Sequence, residues 1–124
     1  MGKIERFEDL PIWQKAADIS LRTYKVAEKG KLKYDFSMKD QIKKAAFSIS
    51  STIAAGFEYG NNNDFIRFLR YAKGSAGELR SQVYILHNME LIEKPDYLQL
   101  NEQLIDISKQ ISGFMKYLRE HKKF

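Results

Sequence analysis

The chain has no cysteine among its 124 residues, so disulfides and thiolate metal sites are excluded, which agrees with a reducing compartment. Charges interrupt every apolar run well before the ~18 residues that a membrane span needs. No stretch resembles a signal peptide, and the expected location is the cytoplasm. Histidine occurs only at His87 and His121, and a single carboxylate, Glu90 beside His87, has the helical spacing that builds metal sites in bundles. That pair reads as ordinary helix-surface polarity. Ser48, Ser50 and Ser51 lie in no nucleophile motif and read as small hydroxyls at helix contacts. Strand alternation, internal repeats and low-complexity tracts are missing too. These absences leave no catalytic constellation, and the chain is expected to be no enzyme and to carry no cofactor or metal.

What is present is helical periodicity. Proline occurs only at Pro11 and Pro95, and each marks a helix start, where its missing N–H costs nothing. The first apolar stripe is Ile12, Ala16, Ile19, Thr23 and Val26, with Asp9 as the expected cap and an end near Gly30. A basic linker from Lys29 to Phe36, carrying Tyr34 and Phe36, is expected to lie on the bundle. Ser37 is the expected cap of helix two, whose stripe is Ile42, Ala45, Ile49 and Ile53. Gly60 to Asp64 reads as a turn. Helix three starts at Asn62 or Asn63 and runs to about Leu91 along Phe65, Leu69, Ala72, Ala76, Leu79, Val83 and Leu86. Helix four follows Pro95-Asp96 with Leu100, Leu104, Ile107, Ile111, Phe114 and Leu118. Alternating steps of four and three predict an all-α fold, a single antiparallel up-down-up-down four-helix bundle over residues 1–124.

Gly74 and Gly77 lie inside helix three, where each costs roughly 1 kcal/mol relative to Ala. Their lack of bulk predicts close approach by helix two, which offers Ala45, Ala46, Ser48, Ser50, Ser51, Ala54, Ala55 and Gly56. The Gly74-Ser-Ala-Gly77 segment is no phosphate cradle, since its N–H groups are committed to the helix.

The net charge of +5 is concentrated between Arg22 and Lys44, where eight Lys or Arg face three acids; the rest of the chain balances. Such an excess can attract a polyanion. Equally, lysines near a helix C-terminus offset its dipole and keep a bundle soluble.

Gln41-Ile-Lys-Lys-Ala-Ala-Phe-Ser-Ile49, Ile53-Ala54, Gly56, Phe65, Phe68-Leu69, Ala72, Gly74-Ser75 and Glu78-Leu79 resemble the signature of the bacterial 23S rRNA-intervening-sequence proteins, as does the opening Phe7-Glu-Asp-Leu-Pro-Ile-Trp-Gln-Lys-Ala16. The resemblance runs from about Phe7 to Leu91 and implies a four-helix bundle. Where that family has Pro-Ser-Asn-Ile-Ala-Glu-Gly, this chain has Ser50-Ser-Thr-Ile-Ala-Ala-Gly56, and Lys43 and Lys44 replace its paired arginines; a role resting on the Asn or Glu does not carry over. A related bundle, the accessory variability protein of diversity-generating retroelements, assembles as a pentameric barrel and binds nucleic acid. The resemblance therefore implies a homo-oligomer, most readily a pentamer.

Trp13, Tyr24, Phe47, Phe57 and Tyr71 fall beside the main stripes, either at the edge of the core or on a second apolar face for another subunit. The resulting expectation is an oligomeric module that binds structured RNA, or an RNA–protein complex, through phosphates with little sequence preference. The candidate contacts are Lys39, Lys43, Lys44, Arg67, Arg70, Lys73 and Arg80, with Lys122 and Lys123 mattering less. The competing expectation is a scaffold that docks an enzyme partner, its lysines only solubilising.

Overall fold

The computed structural model describes residues 4–121; Lys122 and Lys123 lie outside them. Four helices, α1 (Pro11–Ala27), α2 (Phe36–Glu58), α3 (Asn62–Asn88) and α4 (Lys94–Glu120), follow one another with short connections. Contacts join α1 to α2, α2 to α3, α3 to α4 and α4 back to α1, the closed order of an up-down-up-down bundle. Every member of the first three stripes is buried, as are Leu100, Leu104, Ile107, Ile111 and Leu118 of the fourth. In α4 the buried position is Met115 instead of Phe114, which is half-buried and meets Phe65 edge-on at 5.4 Å.

The caps differ from expectation in two places. Asp9 sits inside a 3-10 turn (Phe7–Asp9), and Leu10 precedes α1 without a side-chain cap. Asp35, not Ser37, caps α2, its Oδ1 accepting from the Met38 N–H at 3.1 Å; Ser37 is already inside the first turn. Helix α3 starts at Asn62 as expected, so only Gly60 and Asn61 of the expected turn lie outside it, and Asn61 caps it, accepting from the Asp64 N–H at 2.8 Å. Asn62 reaches across to donate to the carbonyls of Leu118 and His121, satisfying acceptors that the end of α4 leaves open.

Helix α3 stops earlier than its apolar pattern because Glu90 takes φ 63°, a left-handed position usually given to glycine. The Leu91 N–H then bonds the Leu86 carbonyl and the Glu90 N–H bonds that of His87, both at 2.9 Å, closing a Schellman turn. The α1–α2 linker does lie on the bundle, as a 3-10 segment (Gly30–Tyr34). Its anchor is the fully buried Leu32, while Tyr34 and Phe36 are exposed.

The close approach of α2 and α3 is real, but Gly74 and Gly77 do not create it. A Cβ added at either would meet nothing within 4 Å, because both face away from α2 and the core. The small residues at the contact are Ala72, Ala76 and the hydroxyl pair Ser48–Ser75, 2.8 Å apart. The glycine that approach requires is Gly56, where a Cβ would lie 2.8 Å from Phe68 Cβ and 3.0 Å from Phe65 Cδ1. Position 56 continues the buried α2 series Ile42, Ala45, Ile49, Ile53, whereas 74 and 77 fall off the α3 stripe.

Candidate nucleic-acid interface

The seven cations singled out by sequence separate into two groups. At the α1–α2 junction, Lys39 Nζ lies 2.8 Å and Lys43 Nζ 3.1 Å from the same Glu28 carboxylate oxygen. Their side chains are only 12% and 24% exposed. Lys43 also covers the Tyr24 ring at 4.7 Å, and Lys39 the Phe36 ring at 5.4 Å. Hydrogen bonds from Lys39 first and Lys43 second hold the Glu28 carboxyl below the usual carboxylate range. Lys44 pairs with Asp40 one turn earlier at 3.0 Å, and Lys29, a neighbour in the same segment, reaches Asp96 of α4 at 3.2 Å. Four of the eight cations from Arg22 to Lys44 are thus engaged with the protein's own carboxylates, the three candidate contacts among them; Arg22 donates to Gln99 at 2.6 Å, and Lys25, Lys31 and Lys33 form no ion pair among the described residues.

Helix α3 differs. Arg67 is committed to Asp64 at 3.0 Å and lies over the Phe68 ring. Arg70 and Lys73 are exposed and form no ion pair among the described residues. Arg80 is exposed and donates from Nε to Asn101 Oδ1 at 3.2 Å, a neutral partner that leaves its charge uncancelled. Residues 70, 73, 77, 80 and 84 repeat at steps of three and four, so Arg70, Lys73, Gly77, Arg80 and Tyr84 share one outer face. Between Arg70 and Arg80 that face extends on the order of 15 Å along the axis.

Sequence reasoning missed Tyr84, Tyr97 and Asn101, which with Gly77, Arg80 and Ser81 line an open hollow of about 380 Å³ between α3 and α4. For Tyr84 the signal was available in the same three-and-four spacing, applied to the polar side of α3; Tyr97 and Asn101 come from α4, and only the packing of the two helices brings them to it. The aromatic residues also divide. Trp13 and Phe57 pack against the core, while Tyr24, Phe47 and Tyr71 are exposed. Tyr24 and Phe47 meet edge-on at 5.8 Å, and Tyr59, Phe68 and Tyr71 form a second cluster near the α2–α3 turn. His87 is no ligand partner of Glu90: its Nδ1 lies 3.0 Å from the Ile92 carbonyl and its ring stacks on Tyr97. Among the described residues no group of three His, Cys, Asp or Glu is placed to hold a metal, and no helix is long and apolar enough to cross a membrane.

A family model described as the 23S rRNA-intervening sequence protein matches residues 8–113. The chain belongs to that family. The match reaches well into α4, beyond Leu91, where the sequence resemblance faded. The chain also resembles a solved structure from Bacteroides thetaiotaomicron VPI-5482, a protein with unknown function from the S23 ribosomal protein family. The TM-score is 0.77 at 24% identity, over 85% of this chain and 98% of that one, a likeness that shows the fold. No curated protein matches. The two positions that the sequence resemblance set apart, Thr52 and Ala55, are self-contained. The Thr52 hydroxyl is spent on the Ser48 carbonyl at 2.6 Å, and Ala55 carries no polar group.

Proposed function

We propose that this chain is a non-enzymatic, homo-oligomeric bundle that binds RNA through phosphate contacts made by the outer face of α3. The observation that carries the reading is the alignment of Arg70, Lys73 and Arg80 on one face, exposed and without a carboxylate partner among the described residues. A cation already paired must give up its carboxylate before it can neutralise a phosphate; an unpaired one releases condensed counterions at once. Repetition of the face around an oligomer multiplies the phosphates reached together. The exposed Tyr24, Phe47, Tyr59 and Tyr71 supply apolar surface for contact between copies, and a pentamer is the assembly expected.

Fluorescence anisotropy with a labelled, structured RNA across a salt series tests the binding, and light scattering on the same samples tests the assembly. Steep weakening with salt and a single species larger than the monomer are expected. A monodisperse monomer at tens of micromolar removes the assembly. Absence of RNA binding at low salt removes the binding and favours a protein-docking scaffold.

A further inference from the structure

The hollow beside the cationic face has chemistry that phosphate contacts alone do not require. Its floor is Gly77, where a Cβ would meet open space, and its volume of about 380 Å³ falls in the roughly 300–1,000 Å³ range of small-molecule sites. One wall is Tyr84, 54% exposed, its ring centroid 6.2 Å from that of Tyr97 with the planes 65° apart. Tyr97 is backed by His87, 4.7 Å away and within 2° of parallel, so this corner of two rings is braced from behind. On the opposite side Arg80 Nε donates to Asn101 Oδ1. That bond orients both groups, leaving the Asn101 amide N–H₂ and the outer guanidinium N–H groups as donors. An exposed ring, an oriented amide and a guanidinium around one open hollow match a flat heterocycle bearing acceptors on its edge and a phosphate beside it.

We infer that this hollow receives an unpaired nucleobase, stacked on Tyr84 and hydrogen-bonded by Asn101, with Arg80 on its phosphate. Lys73 and Arg70, on the same face toward the start of α3, then follow the backbone of the neighbouring nucleotides. The inference rests on the nucleic-acid reading above and sharpens it to single-stranded segments. Bases inside a duplex are stacked on one another and cannot enter, whereas unpaired bases stack on aromatic side chains with little sequence preference.

The test uses the full chain and three fluorescein-labelled probes: a short single-stranded oligoadenylate as RNA, the same strand as DNA, and an RNA duplex. Tyr84→Ala is expected to weaken binding of both single strands about 5- to 150-fold, the worth of one base–aromatic stack. Tyr84→Phe, which keeps the ring, restores it. Gly77→Leu, which fills the hollow with a better helix former, reproduces the loss, and circular dichroism of each variant verifies the helices. Duplex affinity stays constant throughout. If Tyr84→Ala leaves single-strand binding intact, or weakens the duplex equally, the base-stacking site is wrong. Weakening of all probes by Arg70→Gln with Lys73→Gln would then leave the cationic face standing. No binding of any probe overturns both.

Discussion

The α1–α2 junction and the outer face of α3 each present lysine or arginine in threes, yet the two triplets are in different states. Lys39 and Lys43 converge on Glu28 and Lys44 on Asp40, while Arg70, Lys73 and Arg80 line one helix face and form no ion pair among the described residues. The difference separates formal charge from available charge. The junction has the greater net charge, but Lys39 and Lys43 fasten the start of α2 to the end of α1, and Lys44 is paired within α2. The α3 face has a smaller excess and keeps it exposed. A polyanion responds to uncancelled charge, and on that ground the α3 triplet, not the junction triplet, is the one proposed to contact phosphates.

The glycines divide along the same line, between positions occupied by the fold and positions left open. Gly56→Ala forces a Cβ to 2.8 Å from Phe68 Cβ, and destabilisation of about 1–3 kcal/mol in thermal or urea melts is expected. A neutral or stabilising result there would mean that α2 and α3 separate easily. Gly74→Ala and Gly77→Ala face open space on the α3 surface, and each should stabilise by about 0.5–1 kcal/mol through helix propensity. Loss of stability in the monomeric fold at either position would show an unrecognised contact on that face.

A smaller effect, in pH dependence, probes the junction. The Glu28 carboxyl is depressed by Lys39 and Lys43, so the folded state binds its proton less readily than the unfolded chain. The contribution is therefore complete above the ordinary glutamate range and lost as pH falls below about 4.5. Glu28→Gln should lower stability at neutral pH and converge on the wild type in acid. Parallel curves at all pH values would show that the pairing does not hold the junction.

The apolar stripes were legible because burial imposes a single period on each helix, and every stripe position in α1, α2 and α3 is buried. The end of α3 was not, since Glu90 adopts a conformation for which sequence normally shows Gly or Asn. Capping by Asp35 was hidden by Ser37, an equally good cap two residues on. The pairing of Glu28 with Lys39 and Lys43 spans a 3-10 segment, so no helical spacing connects these residues in the sequence. Glycine was misread for a different reason. Lack of bulk is useful only on the buried face, and the face was readable: Gly56 continues a stripe, whereas Gly74 and Gly77 do not. The same arithmetic on the polar side of α3 would have aligned Arg70, Lys73, Arg80 and Tyr84.

The most direct test compares two triple variants in one anisotropy salt series on a structured RNA: Arg70→Gln, Lys73→Gln, Arg80→Gln against Lys39→Gln, Lys43→Gln, Lys44→Gln. Each phosphate contact removed lowers the slope of log affinity against log salt by about 0.7–0.9. The α3 triple should therefore flatten the slope by about 2 to 3 per protomer engaged and weaken binding at every salt concentration. The junction triple should change the slope by less than about one contact's worth, its main effect falling on thermal stability. The reverse outcome, a flattened slope for the junction triple and an unchanged one for the α3 triple, would contradict the claim that available charge, not formal charge, marks the interface.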